Sequence, residues 1–365
     1  MEQALKEFEH KFPKQHYYGP SKMLRPDYGQ KVQYAKVDNT ETMSAAEIKH
    51  KERVTGKFLF YARAIDNTMG HALNDIASAK NTKAGIAAVE YFLNYAASNP
   101  NAELIYRASE MVLQGDSDAA YLVCDEARSR AGGYFFLGNH DRKLFNGPVM
   151  VLAKIIKNVM ASAAEAEVGA LFMNAQEAVP MRLSLEELGH KQPATPLKID
   201  NSTATGIINN TIKQKRSKAI DMRFYWLRDR VKQGQFQVYW EPGLHNLADY
   251  TTKHHSGSHH KLVRPIYLYN AKHSPRTVQG CVEILKTKTN NRQATNGTTN
   301  IPTKDRPNGA ETLTGTAYHV TKDAYTSSNV IKLKAPYKQL LRQTRSLANR
   351  MSSLVVNNSL LTRYN

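Results

Sequence analysis

The sequence predicts an α/β domain, a mixed sheet with helices on both faces, between a helical leading segment and a basic tail. Three observations predict it. Apolar residues repeat at helical spacing up to about residue 100 and then change to strand-like runs. From there the order is three strands, helices, a strand, helices, a strand and a helix. Acidic residues recur where these elements end, the first of them in Leu113-Gln114-Gly115-Asp116-Ser117-Asp118.

The chain begins with a short helical stretch, followed to about Tyr34 by aromatic, Pro-containing coil such as Tyr17-Tyr18-Gly19-Pro20. Such coil is expected to pack on a body preceding it. Ser44-Ala45-Ala46-Glu47 reads as an N-cap with a capping-box glutamate. Val54, Phe58, Leu59, Tyr61 and Ala62 then give an apolar stripe. Further helices are expected at 71–79 and 83–97, the latter with Ile86, Val89, Phe92, Leu93 and Ala96 on one face. Residues 1–101 are read as a helical unit whose apolar residues are core.

Strands are expected at 104–106, 111–113, 132–138 (between glycine turns) and 149–153. Helices follow at 163–179 and 183–188, ending at Gly189, then a strand at 196–200 and helices at 203–213 and 218–232. Phe236, Val238 and Trp240 alternate on a last strand, and 246–254 form a last helix. Beyond His260 the pattern fades. Residues 286–311, rich in Thr, Asn, Lys and Gly, read as a disordered linker. Residues 337–354 carry Leu340, Leu341, Leu347 and Met351 opposite Lys338, Arg342, Arg345 and Arg350, a basic amphipathic helix or a solvated tail.

The formal net charge is +18, which makes a phosphate polymer the first partner to consider. A hydrophobic content of 41% supports a core, while the mean hydropathy of -0.54 is polar. Cys124 and Cys281 give no disulfide framework and fit a reducing compartment. The start lacks the pattern of a secretory signal, and no apolar run is long enough to span a bilayer. The expected location is cytoplasmic or nuclear.

Asp116 and Asp118 lie two apart on a strand and so share a face. Paired carboxylates repel unless a cation stands between them, and hard oxygen ligands favour Mg²⁺ or Mn²⁺. Glu165 and Glu167 flank opposite edges of the stripe Ala164, Val168, Leu171, Phe172 and Ala175, so only one can face a given site. Asp200 ends a strand, where it also fits as an N-cap. Asp249 opens the last helix, where the helix dipole favours it. Two other patterns are weighed. Gly138-Asn139-His140-Asp141 lacks the companion motifs of metallophosphoesterases. His254-His255-Ser256-Gly257-Ser258-His259-His260 has zinc- or nickel-ligand chemistry but no nearby thiolates, and reads more simply as a surface cluster.

Taken in order, Asp116-Ser117-Asp118-Ala119, Arg128-Ser129-Arg130-Ala131-Gly132-Gly133-Tyr134-Phe135-Phe136-Leu137, Glu165-Ala166-Glu167, Ile199-Asp200-Asn201, Ile220-Asp221-Met222-Arg223-Phe224-Tyr225 with Arg228, and Leu247-Ala248-Asp249-Tyr250-Thr251-Thr252-Lys253 form a pattern. It resembles the ribonuclease H domain of copia-type retrotransposon polyproteins. Gly56-Lys57-Phe58-Leu59-Phe60-Tyr61-Ala62-Arg63 resembles the end of the same family's reverse transcriptase, whose paired-aspartate motif is absent. The resemblance implies a ribonuclease H-like five-stranded mixed sheet over 102–255, a polymerase remnant over 1–101 that cannot copy nucleic acid, and a basic low-complexity tail over 256–365. It implies an endonuclease that hydrolyses the RNA strand of RNA–DNA hybrids with two Mg²⁺ ions, Mn²⁺ substituting, to give 5′-phosphate and 3′-hydroxyl ends. Asp118, Glu167, Asp200 and Asp249 are the implied catalytic metal ligands, with Glu165 and Asp116 as alternates. By the same resemblance Asp118 would bridge both ions, Glu167 and Asp200 would hold the leaving-group side, and Asp249 the side of the attacking water. His245 is the candidate for product release. Lys213, Lys215, Arg216, Lys218, Arg223, Arg228 and Arg230 would track the hybrid backbone, and the missing polymerase portion is a further expected partner. The alternative is a decayed, non-catalytic nucleic-acid-binding remnant of the same polyprotein.

Overall fold

The computed structural model describes residues 1–211, 221–295 and 330–331. The chain divides into two units, Met1–Ser327 and Ser328–Asn365. In the first unit, helix α1 (Glu2–Glu7) is followed by α2 (Ala45–Ala64), α3 (Gly70–Ser78) and α4 (Lys83–Ser98). Ser44 and Glu47 form the capping box that starts α2, as expected. Val54, Phe58, Leu73, Phe92, Leu93 and Tyr95 fill the core of this helical layer. The aromatic coil packs on it: Tyr17 N–H donates to Ser98 Oγ at 3.1 Å.

Strands β1 (Tyr106–Arg107), β2 (Val112–Cys124), β3 (Arg128–Gly138) and β4 (Pro148–Ile156) come next, then α5 (Ala163–Glu187), β5 (Thr195–Ile199), α6 (Ser202–Ile208), α7 (Asp221–Lys232) and β6 (Phe236–Trp240). Strands β2 to β6 make a five-stranded mixed sheet in the order β4-β3-β2-β5-β6. β2, β3 and β4 are antiparallel neighbours, whereas β5 pairs in parallel with β2 and β6. This is the mixed sheet expected from the order of elements.

Helices cover both faces. On one, α5 and α7 pack Leu171, Phe224 and Leu227 against Leu113, Phe135, Leu197 and Ile199. On the other, α8 (Asp249–Thr252), α9 (Gly257–Tyr267) and α10 (Val278–Thr295) bring Tyr250, Val263, Tyr267 and Cys281 onto Tyr134 and Phe136. Of the second unit only strand β7, Val330–Ile331, is described. Residues 337–354 lie outside the described residues.

Three expectations are corrected. Helix α5 runs through Pro180 instead of stopping at Val179. Val179 and Met181 pack on the core there, and the Arg182 guanidinium donates to Thr195 Oγ1 at 2.7 Å, which offsets the lost backbone bond. The chain beyond His260 is ordered into α9 and α10, and helix continues to Thr295, inside the stretch read as a linker. The few apolar residues of these helices meet aromatic partners on the sheet, a pairing invisible to local periodicity. Gly132 and Gly133 are not turns but the middle of β3. A Cβ at Gly133 would meet Asn174 Oδ1 at 1.8 Å, and one at Gly132 would meet Thr251 Oγ1 at 2.3 Å. Without side chains there, α5 and α8 approach the sheet from its two faces.

Candidate active site

Asp118 sits in the middle of the sheet, opposite Gly132, with 1% of its surface exposed. The Thr252 hydroxyl of α8 donates to its Oδ2. Glu167 reaches the same place from α5, where its Oε1 accepts the Ala119 N–H at 3.2 Å. Glu165 does not reach it. Ser162 caps α5 by accepting the Glu165 N–H, and the Glu165 carboxylate folds back to accept the Ala161 N–H at 2.8 Å. The two glutamates therefore separate into a cap and a site residue, one reason that two residues of helix turn them apart.

Asp200 follows the end of β5. It does not cap α6, because the Asn201 side chain accepts the Ala204 N–H at 2.9 Å. Oxygens of Asp118, Glu167 and Asp200 all lie within 4.8 Å of one another. Asp249 opens α8 at the rim, paired with Lys253 one turn along the chain.

Burial, then the nearby Asp249 and Asp200, pushes the Asp118 carboxyl up to about 7 against the pull of Lys253. Burial raises Glu167 well above the usual carboxylate range, and Asp118 and Asp200 add to it. Asp200 is raised for the same first reason. The buried Glu167 Oε2 has no hydrogen-bond partner. A set of dry, mutually repelling carboxylates with an unsatisfied oxygen fits a divalent cation, which would stabilise the charged forms together.

Asp116 shares the face of Asp118, as a two-residue spacing requires, but it is not available to the cluster. Its Oδ2 is 3.0 Å from the Lys198 ammonium and accepts the Leu247 N–H at 2.9 Å. His245 Nδ1 is 3.5 Å from Glu241, and its carbonyl accepts from Lys198 at 2.7 Å. Its neighbour Gly243 lies against Asp200, where a Cβ would stand 2.6 Å from Oδ2.

Among the basic residues, Arg223 donates to Asn158 Oδ1 at 2.9 Å and lies over Phe172. Arg228 donates to the Ile207 carbonyl at 3.2 Å, and its guanidinium covers Phe224 at 4.4 Å. Arg230 stands over Trp226 at 5.1 Å. Lys213, Lys215, Arg216 and Lys218 lie outside the described residues.

Sequence reasoning missed Lys253 as the cation of the site. The signal was present, since a lysine four residues after an aspartate on a helix shares its face. Lys198 and Asn174 were also missed. Asn174 Nδ2 donates to Ser117 Oγ and the Gly132 carbonyl at 2.9 and 2.7 Å, tying α5 to β2 and β3.

No protein-family model matches the chain. A retrovirus-related Pol polyprotein from transposon TNT 1-94 of Nicotiana tabacum is 28% identical over 166 residues, 46% of this chain. A second, from transposon RE1 of Arabidopsis thaliana, is 27% identical over 175 residues, or 47%. Over just under half its length the chain is similar to retrovirus-related Pol polyproteins of two plant transposons. The match spans 12% of each Pol polyprotein's own length.

Solved structures similar to this chain include LC11-RNase H1, isolated from compost, at TM-score 0.30 and 11% identity over 39% of this chain and 92% of that one. An N-terminal RNase H domain from Mycobacterium tuberculosis gives 0.29 and 14%, over 39% and 91%. RNase H1 of Halobacterium salinarum gives 0.24 and 17%, also over 39% and 91%.

Proposed function

We propose that the sheet of this Pol-related chain carries a ribonuclease H-type site that cleaves the RNA strand of RNA–DNA hybrids. The observation that carries the reading is the convergence of Asp118, Glu167 and Asp200 from a strand, a helix and a strand end onto one point, the first two buried and Asp200 half-buried.

Asp118, Glu167, Asp200 and Asp249 would hold two Mg²⁺ ions, or Mn²⁺ in their place. When bound, such ions ionise an attacking water and stabilise the leaving 3′ oxygen. The rest falls to the chain. The Thr252 hydroxyl and the Ala119 N–H fix the orientations of Asp118 and Glu167. The layers around Gly132 and Gly133 keep bulk water from the inner carboxylates. Lys253 balances part of their charge before an ion and a phosphodiester arrive. Products would carry a 5′-phosphate and a 3′-hydroxyl. Hybrids are read by shape and 2′-hydroxyl groups, so little base preference is expected.

One observation favours a second reading. Lys253 is ion-paired with Asp249 at the rim of the cluster, as a decayed site that needs no metal would have it. The chain would then be a basic hybrid-binding remnant. An end-labelled RNA–DNA hybrid incubated with the full chain, in Mg²⁺ or in EDTA, separates the two. Mg²⁺-dependent cutting of the RNA strand, absent from single-stranded and duplex RNA controls and lost in Asp118→Asn, supports the enzyme. Salt-sensitive, metal-independent binding without cutting supports the remnant.

A further inference from the structure

Away from the carboxylate cluster, a second set of side chains surrounds a buried oxygen that has no hydrogen-bond partner. His71 and Asp75 lie one turn apart on α3 and so share a face. His254 comes from the segment that follows α8. Asp75 Oδ2 is 3.4 Å from His71 Nδ1 and 3.0 Å from His254 Nε2, and the three atoms lie within 4.8 Å of one another. The two rings meet edge to face at a centroid distance of 4.7 Å. Even so, neither imidazole meets Oδ2 with hydrogen-bond geometry, and that oxygen is buried without a partner.

Ligand atoms around a tetrahedral zinc ion, with bonds of about 2.0–2.1 Å, stand roughly 3.3–3.4 Å apart. The separations from Asp75 Oδ2, 3.4 and 3.0 Å, lie near that value, and the two ring nitrogens are within 4.8 Å of each other. We propose that His71 Nδ1, Asp75 Oδ2 and His254 Nε2 bind a four-coordinate divalent transition metal of the zinc class, with water as the fourth ligand. The outer partners fit this role. Asp75 Oδ1 is held by the Arg130 guanidinium, and Ser21 Oγ is 3.3 Å from His254 Nδ1, contacts that fix a ligand's orientation. Cys124 lies 3.5 Å from Arg130 Nη2 and is not among the three convergent ligand atoms. Arg130 opposes a second cation, so affinity falls below that of a thiolate site. A cavity of about 480 Å³ reaches Asp75, Arg130 and His254 and offers a path in. Imidazole donors select borderline metals, whereas the carboxylate cluster selects hard ones. An ion here would pin α3 of the helical layer to the chain leaving the sheet.

The test uses the full chain, stripped with chelator and titrated with Co²⁺ in excess Mg²⁺, which occupies the all-carboxylate cluster. The expected result is one equivalent of Co²⁺ with the visible d–d bands of a four-coordinate ion, displaced by Zn²⁺. Asp118→Asn keeps those bands. His254→Ala loses them, and Asp75→Asn binds at least tenfold more weakly. His254→Gln, which retains a polar side chain of similar bulk, stands in if the alanine variant does not fold. No four-coordinate spectrum in the wild-type chain, or unchanged spectra in the His254 and Asp75 variants, overturns the site and leaves an ion-paired His–Asp–His cluster.

Discussion

The Lys198 ammonium stands 3.0 Å from Asp116 Oδ2 across the parallel pair β2 and β5, both side chains almost wholly buried. The pair keeps a fifth carboxylate out of the cluster two residues away. Burial still raises the Asp116 carboxyl above its usual range, because Lys198 and the Leu247 N–H offset only part of the desolvation. Lys198→Met would leave that carboxylate buried and unpaired, at a cost of about 3–5 kcal/mol. Urea unfolding at neutral pH measures it. Asp116→Asn in the same chain should recover part of the loss, and a loss under 1 kcal/mol would show that the pair is not what holds Asp116.

Asp118→Asn should separate activity from stability. Amide for carboxylate removes one repelling charge from among Glu167, Asp200 and Asp249. Hybrid cleavage should be abolished while the metal-free fold gains roughly 1–2 kcal/mol at pH 8. Denaturant midpoints in EDTA for both chains check the second half. A midpoint below that of the wild type would mean that the Thr252 contact outweighs the repulsion.

The raised Asp118 and Glu167 fix the sign of the pH dependence. A carboxyl whose folded value lies above its unfolded one binds more protons when folded. Its contribution is present at low pH and is lost as pH rises through the folded value. For Asp118 that window runs from about 4 to about 7, worth of order 4 kcal/mol by linkage. In EDTA the chain should therefore become less stable from pH 5 to pH 8, and added Mg²⁺ should raise the melting temperature more at pH 8 than at pH 5. A Mg²⁺ effect independent of pH would contradict the assignment of these groups.

Lys253 gives a complementary test. It is the cation nearest the cluster, paired with Asp249 and drawn on by Asp118 and Asp200. In Lys253→Met the metal-free fold should weaken, while Mn²⁺, followed by calorimetry, binds severalfold more tightly because no ammonium competes. Weaker Mn²⁺ binding would assign Lys253 to the metal-loaded state instead.

Gly133→Ala should cost at least about 3 kcal/mol, since the added methyl overlaps Asn174 in a close-packed layer. Gly56→Ala is the control. It lies within α2 with nothing inside 4 Å of a new Cβ, and should gain about 1 kcal/mol. Thermal unfolding of the two variants compares them directly.

Period and caps made most elements legible: the Ser44 box, the stripe of α5 and the strand around Asp118 follow local rules. Local rules also left Glu165 and Glu167 as alternatives, and the Ser162 cap divides them. What was hidden depends on distance along the chain. Nothing near Asp116 announces Lys198, which lies 82 residues on, and nothing in α9 or α10 shows that Tyr134 and Phe136 wait for them. The glycine pair read as turns because local sequence cannot distinguish a bend from a thin place between two layers.

Glu167 arrives from one face of the sheet and Asp249 from the other, so the four-carboxylate ligand set proposed above is complete only when both helical layers are docked. A partly opened chain with either layer detached presents an incomplete ligand set. On the proposed metal binding, ion occupancy would report cooperative closure: each tenfold rise in free metal above the dissociation constant would add about 1.4 kcal/mol against opening either face.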